Sequence, residues 1–143
     1  MTEAEYLRLV QTAKPLLDQI HLNICLCDKE GKILYVNPHA AESIKNLGAL
    51  LGMPEIRTGY DVVGTPMAKW HRLKDFTKAM RERHGAWGTW SIKGARWRSR
   101  SDCVRDDQGH VIGYVGAWEE KDAGPLPDDK TEQTYLTPPY GHP

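Results

Sequence analysis

The side chains with the most chemistry to offer are six histidines, three cysteines and five tryptophans. His142 lies near the C-terminal end, His110 follows a turn glycine, and His84 sits where a helix should stop. His21 and His39 flank a strand and a helix start. Each of these has an ordinary surface explanation. His71 differs, because it follows Trp70 in a short helical stretch between a glycine-rich segment and a longer helix. A neutral imidazole there is either a metal ligand or an ordinary histidine on a partly exposed helix turn. Cys25, Cys27 and Cys103 are an odd number. Residues 25 and 27 fall on the same face of one strand, a geometry that suits neither a disulfide nor a zinc site lacking a further ligand pair. Buried, inert thiols are the expectation. Five tryptophans against one phenylalanine favour flat, bulky side chains with a polar N–H. No phosphate loop, nucleophile elbow or His-Glu-x-x-His site is present, so the chain reads as no enzyme.

These residues need elements to hold them. The most informative stretch is WRSRSDCVRDDQGHVIGYVGAWEE, Trp97 to Glu120. It reads as two strands, about Arg96 to Arg105 and His110 to Glu119, joined by Asp-Asp-Gln-Gly with Gly109 supplying positive φ. By alternation Ile112, Tyr114, Gly116 and Trp118 share one face of the second strand. Gly113 and Gly116 are poor strand formers and mark places where a ligand or a packed helix approaches the backbone. Arg96, Arg98 and Arg100 alternate along a strand and share one face, a solvated face before a small anion patch.

Upstream, Asn23 to Cys27 and Lys32 to Val36 form a first hairpin around Asp28-Lys29-Glu30-Gly31. Asn37 then caps a helix with Pro38 at its first position, ending near Leu47-Gly48. Residues 48 to 64 are irregular, with glycines at 48, 52, 59 and 64. Thr65-Pro66 opens a short helix through Trp70-His71. A longer helix over Leu73 to Arg83 follows, and His84-Gly85 stops it. Trp87 to Lys93 is a further strand. Ahead of all this, Tyr6, Leu9, Val10, Ala13, Leu16, Leu17 and Ile20 make a helical stripe. Pro15 should break or kink that helix near Lys14, because a continuous helix would carry a cost of about 3 kcal/mol.

The pairing of DKEGKILYVNPHA with CVRDDQGHVIGYVGAWEE resembles the two ends of a PAS domain, over roughly Leu16 to Lys121. That resemblance implies an α+β fold: a five-stranded antiparallel sheet with helices on one face, preceded by an N-terminal helix. It divides the chain into a leading helix at 1–20, whose stripe is either a dimer contact or a helix laid on its own domain, a sensor unit at 21–122, and a proline-rich flexible tail at 123–143. It further implies a sensory role in signal transduction. In haem-binding relatives the proximal histidine comes from the region of WHRLKDF, which makes His71 the iron ligand of a haem b. Some such sensors place a tryptophan on the last strand to donate to bound oxygen, and Trp118 stands in that position. Ile112, Tyr114, Gly116, Trp70 and Leu73 would complete the haem contacts, with His39, Arg57 and Lys69 as candidates for the propionates. The ligand would then be a diatomic gas, oxygen before others, or a change of redox state, relayed to an unknown downstream signalling protein. The alternative is a non-haem PAS module for dimerisation or for a small apolar ligand. No cysteine lies in the helical region, which speaks against flavin photoadduct chemistry.

Length and charge bound the rest. The chain has 143 residues, enough for one domain with a real core. Lysine plus arginine and aspartate plus glutamate each number 19, so no net charge points to nucleic acid or an acidic membrane. No apolar run approaches a membrane span and MTEAEYLRLV lacks signal-peptide features, so a cytoplasmic protein is expected.

Overall fold

The structure, a computed structural model, describes residues 1–70, 86–92, 95–121 and 132–136. Helix α1 spans Glu3–Leu17, followed by strands β1 (Asn23–Asp28) and β2 (Ile33–Val36) and helix α2 (Pro38–Leu50). Two 3-10 turns, Gly59–Val62 and Met67–Lys69, lead towards β3 (Ala86–Ile92), β4 (Ala95–Arg105), β5 (Val111–Lys121) and β6 (Glu132–Leu136). The antiparallel sheet has the order β2-β1-β5-β4-β3-β6. The long helix expected over Leu73 to Arg83 lies outside the described residues.

Turn chemistry fixes both hairpins in the same way. Asp28 Oδ1 accepts from the amides of Glu30 and Lys32, at 3.0 and 2.9 Å. Asp106 Oδ1 accepts from those of Gln108 and His110, at 2.9 and 2.8 Å. Gly31 and Gly109 each close their turn at φ 85°, a conformation that costs glycine nothing. The two Asp-x-x-Gly loops are therefore built alike.

Asn37 ties the helices to the sheet and is fully buried. Its Oδ1 accepts from Ala40 N at 3.0 Å, the expected N-cap, and from Ile24 N at 3.1 Å. Its amide donates to the carbonyls of Leu22, Ile20 and Leu17, at 2.7, 3.1 and 3.3 Å. One side chain thus joins the end of α1, the entry to β1 and the start of α2.

The two faces of the sheet carry separate cores. On one, α2 and the 3-10 turns pack Ala40, Ala41, Val62 and Met67 against Cys25, Cys27 and Tyr114. On the other, α1 lays Tyr6 and Val10 against Leu26, Tyr35 and Ile112. The leading helix is laid on its own domain, while Leu9 and Leu16 stay exposed, at 50% and 69%.

Four expectations need correction. Helix α1 does not break at Pro15 but contains it. The helix runs only two residues further, and Asp18 N still donates to Lys14 O at 2.8 Å, so proline costs little more than its own missing donor. Helix α2 passes through Gly48 and ends at Leu50. There the bare glycine accommodates Ile56, whose Cβ would come within 3.0 Å of an added methyl. Among the described residues the sheet has six strands rather than five, Glu132–Leu136 pairing with β3 as the sixth. Finally, Ile112 does not share a face with Tyr114. The β4–β5 register shifts between Val104 and Arg105, which face Gly113 and Val111. That bulge makes Ile112 the extra residue and turns it towards α1.

Candidate functional site

Between α2 and the sheet lies a cavity of about 90 Å³. Helix α2 contributes Ile44, Leu47 and Gly48, and the chain beyond it Leu51, Met53, Ile56, Met67 and Trp70. The sheet supplies Cys25 from β1, Ser99 and Ser101 from β4, and Gly116 and Trp118 from β5. The lining is mostly aliphatic and thioether, with no lysine, arginine, histidine or carboxylate among these side chains. Such walls favour a ligand with an apolar body, and methionines adapt to its shape.

The sequence-selected residues separate here. Trp118 and Gly116 line the cavity, and so does Trp70. Tyr114, 1% exposed, lies in the core beneath it, whereas Ile112 lies across the sheet. His71 and Leu73 fall outside the described residues. The indole N–H of Trp118 donates to Ser43 Oγ at 2.9 Å, tying β5 to α2. That of Trp70 donates to Thr65 Oγ1 at 2.7 Å, and Lys69 Nζ stands 4.6 Å from its ring centroid. Of the three propionate candidates none lines the cavity. His39 Nδ1 is 2.7 Å from Asn23 Oδ1 instead.

Cys25 and Cys27 are buried as expected, whereas Cys103 is half-buried. Cys25 Sγ and Cys27 Sγ are 3.9 Å apart, and Cys27 Sγ lies 3.8 Å from Met67 Sδ. The hydrogen bond with Cys25, together with burial, pushes the Cys27 thiol far up. It stays protonated and is no nucleophile. Among the described residues no group of three or more histidine, cysteine or acidic side chains could hold a metal.

The two strand glycines have different neighbours. A methyl on Gly113 would lie 2.3 Å from the ring of Tyr6, so this glycine serves helix packing. A methyl on Gly116 would meet Ser101 Oγ at 3.3 Å, so this one shapes the cavity. Ser43, Ser99 and Ser101 were not read as site residues from sequence. The signal was present: in RWRSRSD the arginines at 96, 98 and 100 alternate with residues 97, 99 and 101, and the complement of a solvated set is the buried one.

No family model matches the sequence, and no curated protein matches it significantly. Solved structures do match in fold. The Aer2 receptor of Vibrio cholerae, described as a dual PAS-haem oxygen sensor, is 20% identical with TM-score 0.51, covering 69% of this chain and 93% of that one. A sensory box sensor histidine kinase of Vibrio cholerae is 14% identical with TM-score 0.50, covering 84% and 95%. The PAS domain of BvgS from Bordetella pertussis is 16% identical with TM-score 0.50, covering 81% and 88%. The class that strand order, helix placement and these likenesses define is the PAS fold. This chain has that fold, with its cavity between α2 and the sheet. Among the described residues no helix is long and apolar enough to cross a membrane.

Proposed function

We propose that this chain is a sensory PAS domain in signal transduction whose input is a small, largely apolar molecule held between α2 and the sheet. The observation that carries the reading is the cavity itself: apolar walls, adaptable methionines at 53 and 67, and a floor thinned at Gly116. A route outward exists in the same strands. Tyr6 on α1 donates to Cys27 O at 2.8 Å and reaches Tyr114 O at 3.4 Å. A shift of β1 or β5 at the cavity is therefore felt by α1. The exposed Leu9 and Leu16 of that helix are the surface through which a homodimer or a downstream signalling protein would read it.

Haem b with a diatomic gas is the second reading. It is favoured by the WHRLKDF segment, by Trp118 and Gly116 in the cavity lining, and by the likeness to Aer2. The described residues do not fit the group as they stand. The donor that would face bound oxygen is engaged by Ser43, and about 90 Å³ is below the ~150 Å³ that accepts benzene. A visible spectrum after addition of hemin separates the readings. No Soret band, together with tryptophan fluorescence changes on adding small apolar molecules, supports the first. A Soret band that His71→Ala abolishes overturns it in favour of haem.

A further inference from the structure

We propose that the Ser101 hydroxyl is the polar anchor of the cavity and that the ligand is a neutral, mostly hydrocarbon molecule carrying one hydrogen-bond acceptor. This rests on the cavity being the ligand site. Ser101 is 6% exposed and lines the cavity, yet among the described residues its Oγ has no hydrogen-bond partner. Buried hydroxyls are nearly always paired. One left open towards an apolar cavity can take its partner from a ligand.

The surroundings define that partner. Ser101 sits opposite Gly116 in the β4–β5 register. A methyl at Gly116 would stand 3.3 Å from Ser101 Oγ and 3.9 Å from Cys25 O. The absent side chain is what leaves the hydroxyl uncovered. Among the described residues Cys25 is the one titratable side chain in the lining, and these walls would desolvate a charged ligand without compensation. Ser99, two residues along β4, also lines the cavity. The volume of about 90 Å³ admits a body smaller than a six-membered ring unless Met53 or Met67 yields. A short ketone, aldehyde or alcohol meets all these conditions.

The test uses 2-butanone as probe and n-pentane as a hydrocarbon of similar size, with binding followed on the indole N–H resonances of Trp70 and Trp118. In the unaltered chain both should bind. Ser101→Ala should weaken butanone about five- to tenfold, leave pentane unchanged, and raise the melting temperature of the ligand-free protein slightly, because an unpaired buried hydroxyl is removed. If both probes bind and Ser101→Ala changes neither affinity, the anchor is refuted while the cavity reading stands. A lower melting temperature in Ser101→Ala, with butanone affinity unaltered, would show a hydroxyl satisfied by internal water and would also overturn the anchor. If neither probe binds the unaltered chain, the cavity reading falls, and the anchor with it.

Discussion

Replacing Gly113 by alanine should loosen α1 from the sheet, chiefly through a clash with the Tyr6 ring. The added methyl would lie 2.3 Å from Tyr6 Cε2, 2.5 Å from Cζ and 2.8 Å from Cys27 O, against the 3.5–4.0 Å at which carbon atoms rest. The Tyr6 ring must withdraw by about 1 Å, and its hydroxyl then loses the 2.8 Å bond to Cys27 O. Overpacking costs about 1–3 kcal/mol and the hydrogen bond about 0.5–1.5 kcal/mol, so a loss of roughly 2–4 kcal/mol is expected. For a chain of this size the melting temperature should fall on the order of 10 °C. The decisive assay is a double-mutant cycle by chemical denaturation. Tyr6→Ala alone should cost about 3–5 kcal/mol, as for other large aromatics. In that background Gly113→Ala should cost less than about 1 kcal/mol, a coupling of about 2 kcal/mol. Tyr6→Phe keeps the ring and should keep most of the penalty. Additive losses in the Tyr6→Ala background would refute the packing argument and leave the contact with Cys27 O, or the backbone of Gly113, as the cause.

Three further outcomes follow from the same geometry. Asn37→Ala removes a cap and leaves Ile24 N and the Leu22 carbonyl without their buried partner; it should cost about 3 kcal/mol in guanidinium denaturation. Trp118→Phe removes the donor to Ser43 and should cost about 0.5–1.5 kcal/mol, while Ser43→Ala in the Trp118→Phe background should cost almost nothing more. The amides of Thr58 and Arg57 hold the Asp61 carboxyl below its usual 3.8. Its contribution is therefore complete above that value and disappears as pH falls through the lower folded pKa. Thermal melts from pH 7 down to 2 should show a smaller acid-side loss in Asp61→Asn than in the unaltered chain.

What local chemistry decides was legible in the sequence. Asp28, Gly31, Asp106 and Gly109 state their turns because the bonds they make span two to four residues. Asn37 states its helix cap for the same reason. With both hairpins and the cap in place, the order of strands and helices that resembles a PAS domain follows. Pro15 misled, because propensity describes an isolated helix and α1 is held by Tyr6 and Val10 on the sheet.

Other features belong to the tertiary structure. Alternation put Ile112 beside Tyr114, but a one-residue shift against β4 reverses its face, and a bulge depends on the partner strand. Gly113 and Gly116 look alike in sequence; one meets the Tyr6 ring, 107 positions away, and the other the Ser101 hydroxyl, 15 positions away. Trp118 offers the same N–H in any fold, and whether that donor is free for a ligand was decided by Ser43 arriving on α2. Residue type states what a group can bond, whereas the partner that reaches it is set by contacts across the sheet.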